Sequence, residues 1–322
     1  MNEMTVRQAY DDFMDDRRSY CDASTCKYYE QNIGFFFSYL ESVYHKPVDA
    51  LLLPELDRKV VQGYVAYLRS KPKFENHPFK VSAAKKGTLK NSTVRIYVRA
   101  VRVFLNYIRD EELTEASFSR KVKLPKDDTR LMLPLFQYEV DEIDSLFSQN
   151  TEMGLRNLCI IHLMLDAGLR SEEVISLRVF DVDFNKSIIR ILDSKNHKSR
   201  IIPLAWNLKL YLECYLEFRE PVPDEYVIKK AGSGGAINYN VIKQLFFRIR
   251  GKVDIKRLHP HLLRHTFGVA YLVGGGNLEF LRDMMGHSDY TVTRQYVKMS
   301  NQYRMMGAEV YKLDDIFYVA TR

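Results

Sequence analysis

The sequence predicts a mainly α-helical fold with a small antiparallel β-sheet, divided between a helical amino-terminal domain and a larger α+β domain. Apolar residues recur at helical spacing over most of the chain. Only residues 187–192 and 199–204 have the composition of short strands, and the polar turn DSKNHK between them predicts a hairpin. A length of 322 residues suits about two domains.

The helical pattern also predicts the domain limits. In the first domain, residues 1–118, helices are predicted over residues 5–16, 24–44, 54–69 and 92–109, with a loop over residues 71–90. Residues 119–134 contain two prolines and no apolar period, so we expect a linker there. In the second domain, residues 135–322, helices are predicted over residues 140–147, 155–167, 207–219, 239–251, 261–273, 278–285 and 291–297.

The composition excludes several classes of protein. A chain with 46% hydrophobic and 28% charged residues is typical of a globular protein and not of a disordered one. The four cysteines lack the CxxC spacing of a zinc ribbon. The amino terminus has no apolar signal-peptide core, and no apolar stretch is long enough to span a bilayer. We therefore expect a cytoplasmic protein with reduced thiols and no membrane partner.

The net charge of +7 is unevenly distributed. Residues 1–70 carry eight basic and eleven acidic residues, whereas residues 76–109 carry eight basic residues and no acidic one. Within the predicted helix 92–109 the apolar stripe consists of Val94, Tyr97, Val101, Phe104 and Ile108, and the arginines lie on a separate flank. A purely cationic flank favours phosphate binding, although a solvated surface is the alternative. The candidate nucleic-acid contacts are Lys85, Lys86, Lys90, Arg95, Arg99 and Arg102.

Two segments of the second domain place polar residues next to predicted helix ends. In AGLRSEEV, a Gly-Leu turn presents Arg170 just before Ser171, a residue type that caps helices. In MGHSDYTVTRQY, Gly286 is suited to end one helix, and His287 follows at the break. In each of these two segments, a side chain that is able to bind an anion therefore lies at a turn.

A third segment, HLLRHT, places His261, Arg264 and His265 on one helix face. The two histidines invite a zinc site by comparison with HExxH, but Leu262 stands where that motif has glutamate, and Arg264 would repel a dication. An arginine between two histidines favours the binding of an anion instead. Together with Arg170, it suggests phosphoryl transfer without a metal.

These segments together resemble the boxes of the tyrosine recombinase (phage-integrase) family of site-specific DNA recombinases. AGLRSEEV is similar to the family's TGLRxSEL, HLLRHT to its HxLRHT, and MGHSDYTVTRQY to its LGHxxxxxTxxY. Val174 and Met285 stand where leucine is usual. The resemblance covers the whole chain. It implies a SAM-like core-binding domain over residues 1–118 and a tyrosine-recombinase catalytic domain over residues 135–322.

The resemblance implies a nucleophile and a phosphate clamp. Tyr296, nine residues after the Gly-His pair, corresponds to the nucleophile that attacks the scissile phosphate and leaves a 3′-phosphotyrosine. Tyr290 and Tyr303 are its near rivals. Arg170 and Arg264 correspond to the clamp on the non-bridging oxygens, where each lost donor costs about 10²–10³ in rate.

The resemblance also implies the groups that move protons. Lys195, on the hairpin turn, corresponds to the general acid for the departing 5′ oxygen, with Lys198 as its competitor. His261 would assist proton movement at the nucleophile, and His287 would donate to the phosphate. Glu173 would orient nearby cations, although a simple helix amino-terminal glutamate explains it almost as well. No metal and no other cofactor is implied.

The function implied is site-specific cleavage and rejoining of duplex DNA through a Holliday junction, for integration, excision, inversion or resolution. The family acts as a homotetramer on core sites with inverted repeats, and accessory proteins are allowed. Because the predicted helices begin near residue 5, we expect a simple recombinase without an arm-binding domain, in a bacterial cytoplasm or nucleoid. The alternatives are a type IB topoisomerase-like activity and a DNA-binding regulator on an inactivated recombinase scaffold.

The carboxy-terminal segment 310–319 carries an apolar pattern that needs burial. The family resemblance implies that this segment docks on a neighbouring protomer and closes a cyclic tetramer. Folding back on its own domain is the alternative. The apolar residues are Val310, Leu313, Ile316, Phe317 and Val319.

Overall fold

The predicted fold class is confirmed by a computed structural model of the chain. It describes residues 4–72, 87–114, 124–125, 132–192, 199–219, 222–223, 225–230, 235–286, 290–306 and 309–313. The described residues are mainly helical and contain one three-stranded antiparallel sheet. The chain divides into two compact units, Met1–Arg130 and Leu131–Arg322. None of the helices in the described ranges is long and apolar enough to cross a membrane.

The first unit is a helical bundle around an aromatic core. Its helices are α1 (Val6–Tyr20), α2 (Ala23–Tyr44), α3 (Arg58–Ser70) and α4 (Asn91–Asp110). The predicted helix 54–69 is shorter than expected because the side chain of Asp57 caps the first turn of α3, while Pro54 lies in a separate 3₁₀ turn. The fully buried rings at the centre include Phe13, Phe36, Tyr64 and Phe104.

Helix α4 has a wider buried stripe than the sequence predicts. Val98 and Leu105 are buried in addition to the predicted residues, whereas Tyr97 is only half-buried. The helix begins at Asn91, one residue before the predicted start, and Lys90 occupies the N-cap. The cationic flank remains outside this stripe.

The second unit combines eight helices with the sheet in the described ranges. The strands are β1 (Val182–Asp183), β2 (Ile188–Leu192) and β3 (Ser199–Pro203), and β2 is central and antiparallel to both neighbours. The helices are α5 (Gln137–Asp144), α6 (Glu152–Leu165), α7 (Ser171–Ser176), α8 (Trp206–Glu217), α9 (Tyr239–Arg250), α10 (Pro260–Val273), α11 (Leu278–Met285) and α12 (Tyr290–Met306).

Three differences from the predicted elements have simple causes. Strand β1 was not predicted because two residues show no periodicity. Helix α7 has no predicted range because its six residues are too few for a helical stripe, and Ser171, the expected cap, is its first residue while Arg170 occupies the N-cap. The predicted end of the last helix at residue 297 is wrong, since α12 continues to Met306 with Met299 and Tyr303 buried.

Helices α6 and α10 form the centre of the second unit. Nearly every residue of α6 after its first turn is buried, and so is α10 from Leu262 to Leu272. Burial all round a helix is typical of a central core element. HLLRHT lies on α10 and AGLR follows the end of α6, so both segments are anchored to the deeply buried helices of the unit.

The carboxy-terminal segment packs on its own unit. Val310 pairs with Phe136 in an isolated bridge, and the Tyr311 N–H donates to the Leu135 carbonyl at 3.1 Å. Val310, Tyr311 and Leu313 are buried. The predicted docking on a neighbouring protomer is therefore not found for residues 310–313, which follow the alternative. Ile316, Phe317 and Val319 lie outside the described residues.

A buried charge cluster fixes this segment to α6. The Tyr311 hydroxyl donates to Asp166 Oδ1 at 2.7 Å, and Asp166 Oδ2 lies 2.8 Å from His162 Nδ1. On its other side, His162 Nε2 lies 3.1 Å from Asp144 Oδ1. Burial alone would lower the pKa of His162, but the two carboxylates raise it to about 10. The imidazole is therefore protonated at neutral pH.

We predict that Tyr311→Phe lowers the free energy of unfolding by about 1–3 kcal/mol, because Asp166 loses a buried hydrogen-bond donor. Urea denaturation of the full chain, followed by circular dichroism, measures the change. Tyr138 is 67% exposed, so Tyr138→Phe is the matched control and should change stability by less than about 0.5 kcal/mol. Equal stability of the two variants would contradict the anchoring role.

Candidate active site

Arg170 is presented by a turn that only glycine permits. After α6 ends, Gly168 adopts a left-handed conformation with φ of +63°, and a Cβ added there would lie 2.5 Å from Phe267 Cδ1. Both the backbone conformation and the close approach of the α10 ring exclude a side chain at this position. The turn places Arg170 at the N-cap of α7.

Glu173 binds Arg170 twice at the start of α7. Its Oε2 accepts from the Arg170 backbone N–H at 2.7 Å, and its Oε1 accepts from Arg170 Nη1 at 2.8 Å. The carboxylate therefore caps the helix and holds the guanidinium at the same time. The two sequence interpretations of Glu173, a cap and an orienting group, are both compatible with this geometry.

Arg264 is buried in the centre of the site. Its guanidinium donates to the carbonyl oxygens of Gly168 and Met285, and Nη1 lies 3.9 Å from Glu173 Oε2. Burial, followed by the positive charge of Arg170, lowers the pKa of Arg264 to about 10. At neutral pH the side chain still carries its charge.

The end of α11 faces three arginines. Gly286 has φ of +58° and terminates α11, as the sequence predicts. Arg170 Nη2 donates to Gly286 O at 2.9 Å and to Met285 O at 3.2 Å, while Arg200 Nε donates to Met284 O at 2.7 Å. Cations at a helix carboxy terminus are favoured by the helix dipole.

Arg200, on β3, is a site residue that the sequence reasoning missed. Its Nη2 donates to Glu173 Oε2 at 2.8 Å, and its side chain is 9% exposed. Burial alone would raise the pKa of Glu173, but Arg200 and the Arg170 backbone N–H outweigh it and hold that pKa below its ordinary range. The strand pattern of SRIIPL gave no sign of this contact, because nothing in the sequence aligns β3 with α7.

Tyr296 lies on α12 with its ring against α10. The side chain is 9% exposed, its ring centre is 5.2 Å from that of His265, and a Cβ added at Gly268 would lie 2.8 Å from Tyr296 Cε1. Burial raises the pKa of the Tyr296 phenol, and the charge of Arg264 partly opposes that rise. Tyr296 is therefore a phenol, not a phenolate, at neutral pH.

The two histidines of HLLRHT have different surroundings. His265 is buried, with Nε2 2.8 Å from the Met132 carbonyl, whereas His261 is exposed at the start of α10. Partial desolvation, followed by the charges of His259 and Arg264, lowers the pKa of His261. Within the described ranges, no group of three or more His, Cys, Asp or Glu side chains is arranged to hold a metal ion.

Several predicted site residues fall outside the described residues. Lys195 and its competitor Lys198 belong to the segment between β2 and β3, and His287 to the segment between α11 and α12. The side chain of Tyr290 is likewise not described, whereas Tyr303 is buried on α12.

Of the candidate DNA-binding cations in the first unit, the structure describes four. Lys90 and Arg99 are exposed, whereas Arg95 and Arg102 are half-buried. The Nη1 of Arg95 donates to the Pro125 carbonyl, so this guanidinium has a structural role as well. Lys85 and Lys86 lie outside the described residues.

A second cationic surface was missed by the sequence reasoning. Lys243 and Arg250 on α9, together with Tyr239, line a groove of about 260 Å³ that reaches His259 and Pro260 at the start of α10. The signal was present in the sequence, since residues 226–253 contain six basic residues and no acidic one. This groove adjoins the helix that carries His261 and Arg264.

Comparison with known proteins gives the same family for both parts of the chain. Residues 137–302 match the phage integrase family, and residues 5–124 match the phage integrase SAM-like domain. Tyrosine recombinase XerD of Oceanobacillus iheyensis is 30% identical over 220 residues, covering 65% of this chain and 72% of that protein. Tyrosine recombinase XerC of Staphylococcus aureus is 26% identical over 285 residues, covering 86% and 87%.

Solved structures show the same fold. The Tn1549 transposon integrase in complex with transposon right end DNA superposes with a TM-score of 0.69 at 17% identity, covering 94% of this chain and 99% of that one. A lambda integrase dimer bound to a core site gives 0.68 at 15% identity, with 91% and 95% covered. With the two family matches, these likenesses lead to one conclusion: the chain belongs to the phage integrase family of tyrosine recombinases, and it is an enzyme that breaks and rejoins DNA.

Proposed function

We propose that this site transfers a phosphoryl group of the DNA backbone to Tyr296, and that the resulting 3′-phosphotyrosine is resolved through a Holliday junction to give recombined duplexes. The observation that carries the proposal is the convergence of Arg170 and Arg264 on one oxygen. Both Nη2 groups donate to the carbonyl of Met285, although the arginines come from different segments. Two guanidinium groups that reach one acceptor oxygen are also able to bind one phosphate.

In the proposed reaction Arg170 and Arg264 stabilise the charge on the non-bridging oxygens. Such preorganised donors act most strongly in a buried site, where water does not compete. Arg264 is buried and Arg170 is one-third exposed, so the pair extends from the core to the surface. A DNA phosphate would approach from the exposed side.

Tyr296 would attack the phosphorus as its proton is removed, because its pKa is raised and the hydroxyl is protonated at neutral pH. We propose His261 as the group that assists this proton transfer. Its lowered pKa leaves the imidazole neutral near pH 7, so that it is able to accept a proton. The arginines themselves are too basic for this task.

Lys195 would protonate the departing 5′ oxygen, and His287 would donate to the phosphate. The neighbouring residues support these roles. Arg200, two positions into the strand that follows the lysine-bearing turn, bonds to Met284, and Met284 in turn lies three residues before His287. Arg200 on β3 and the end of α11 therefore lie next to each other.

Duplex DNA is the proposed partner. The relatives described above include enzymes solved on DNA ends and core sites. We propose that the exposed cations Lys90 and Arg99, with Arg102, contact the DNA backbone, and that the groove lined by Lys243 and Arg250 does the same beside the active site. A search of the DNA flanking the gene for inverted repeats would supply candidate core sites for the tests below.

We further propose that four copies assemble on two core sites, with accessory proteins where the reaction requires them, in the bacterial cytoplasm or nucleoid. Residues 310–313 pack within their own unit, so an exchange of carboxy-terminal segments between protomers would use the residues after Leu313. A closed ring of identical head-to-tail contacts is the geometry that such an exchange would create.

We predict that Tyr296→Phe binds core-site DNA as the unaltered protein does but forms no covalent adduct, because only the attacking hydroxyl is removed. A nicked suicide substrate and a denaturing gel measure the adduct. Tyr303→Phe is the matched control on the same helix and should retain adduct formation. An adduct formed by Tyr296→Phe, or its loss in a correctly folded Tyr290→Phe, would show that the nucleophile is misassigned.

The second prediction concerns the general acid. A 5′-bridging phosphorothiolate has a leaving group that needs no proton, so it should restore cleavage by Lys195→Ala. The same substrate should not rescue Arg170→Ala or Arg264→Ala, which lose about 10²–10³ in rate through the non-bridging oxygens. Single-turnover rates on both substrates make the comparison. Rescue of Lys198→Ala in place of Lys195→Ala would move the acid three residues along the chain.

The third prediction is that replacing Lys90, Arg99 and Arg102 by Gln weakens binding to all DNA sequences alike. The slope of log affinity against log salt should flatten by up to about 0.9 per lost phosphate contact. Fluorescence anisotropy at several salt concentrations measures it. Arg18 is ion-paired with Asp15 at 3.0 Å, so Arg18→Gln is the control and should leave the slope unchanged. A loss confined to one base pair would indicate direct base recognition instead.

A further inference from the structure

Arg200 connects three parts of the second unit that are distant in sequence. It lies on β3, Nη2 donates to Glu173 Oε2 on α7 at 2.8 Å, and Nε donates to Met284 O at the end of α11 at 2.7 Å. A Cβ added at Gly286 would lie 3.2 Å from Arg200 Nη1, so the guanidinium also packs across the turn that ends α11. The side chain is 9% exposed.

The charges around Glu173 show why this contact matters. The largely buried Glu173 carboxylate is surrounded by Arg170 at the N-cap of α7, Arg200 from β3 and Arg264 from α10, at 2.8, 2.8 and 3.9 Å. The carboxylate shares Oε2 between the Arg170 backbone N–H and Arg200. Removing one partner of a buried ion pair leaves the other charge poorly compensated.

We propose that Arg200 is a positioning residue of the phosphate site: it holds the Glu173 carboxylate in the place where that carboxylate aligns Arg170, and it fixes the end of α11 against β3. This proposal rests on the proposed function, since it concerns the same phosphate site. Arg200 acts through Glu173 and α11, because two of its three nitrogens are committed to these protein acceptors.

A planar guanidinium is suited to this task in a way that an ammonium is not. Its Nε and Nη2 reach two acceptors on two different helices in one fixed geometry. Lysine at this position would retain the charge near Glu173 but would not hold both acceptors in that arrangement. The two functions of Arg200, charge and alignment, are therefore separable by substitution.

The first measurement is single-turnover cleavage of the nicked suicide substrate. Arg200→Gln should lower the rate about 10–100-fold, the size of the loss when an outer hydrogen-bond partner is removed at metal sites. Arg190, on the adjacent strand β2, is paired with Asp183 at 2.8 Å, so Arg190→Gln is the matched control and should cleave at the unaltered rate. DNA affinity should change little in either variant.

The second measurement is the pH profile of cleavage, which a merely structural role would not move. Arg200 keeps the pKa of Glu173 low, so in Arg200→Gln that pKa rises and the acid limb of the profile moves to higher pH. Arg200→Lys retains the charge and should keep the acid limb near its original position while cleaving more slowly. Because Arg200 and Glu173 act through one contact, the losses in rate of Glu173→Gln and Arg200→Gln should not add in the double variant.

The outcomes separate this inference from the proposed function. If the unaltered protein forms no adduct through Tyr296, the proposed function fails. The positioning role is wrong if the unaltered protein cleaves and Arg200→Gln keeps both its rate and its acid limb. It is also wrong if Arg200→Gln cleaves more slowly with no shift of the acid limb and this loss in rate adds to that of Glu173→Gln. Should Arg200→Gln not fold, as judged by circular dichroism, Arg200→Lys decides, because an unaltered rate for that variant excludes the need for the guanidinium.

Discussion

The ion pairs of Glu173 are the constraint on which the rest of the candidate active site depends. Three guanidinium groups near one another repel, and the partial desolvation of the site adds to the cost of their charges. A single carboxylate between them, together with the carbonyl oxygens that end α11, compensates much of that charge. The site therefore keeps an excess of positive charge that is held in place and suits a phosphodiester.

This constraint explains where the sequence needs special residues. The arginines converge only if the chain turns sharply after α6 and after α11, and both turns use a left-handed glycine, Gly168 and Gly286. At Gly168 the ring of Phe267 fills the space that a Cβ would occupy, so the turn is packed against α10. The glycines and the arginines are thus parts of one arrangement.

Much of this arrangement could be predicted from the sequence because it is local. The turn before Arg170 and the end of α11 at Gly286 depend on residues a few positions apart. Arg200 could not be predicted, since its partners come from α7 and α11 and only the tertiary fold brings them together. The pairing of Val310 with Phe136 could not be predicted either. The apolar pattern shows that the segment must be buried, but it does not show against which surface.

The packing of the carboxy-terminal segment and the turn that presents Arg170 both involve Asp166. Asp166, which accepts from Tyr311 and contacts the protonated His162, lies four residues before Arg170 and two before Gly168. The second carboxylate on His162, from Asp144, leaves this buried cluster with more acceptors than one imidazolium satisfies, so the Tyr311 hydroxyl is needed as a donor. Without it, a buried carboxylate at the start of the turn would lack one hydrogen bond. The last described residues of the chain therefore help to hold the backbone that presents Arg170.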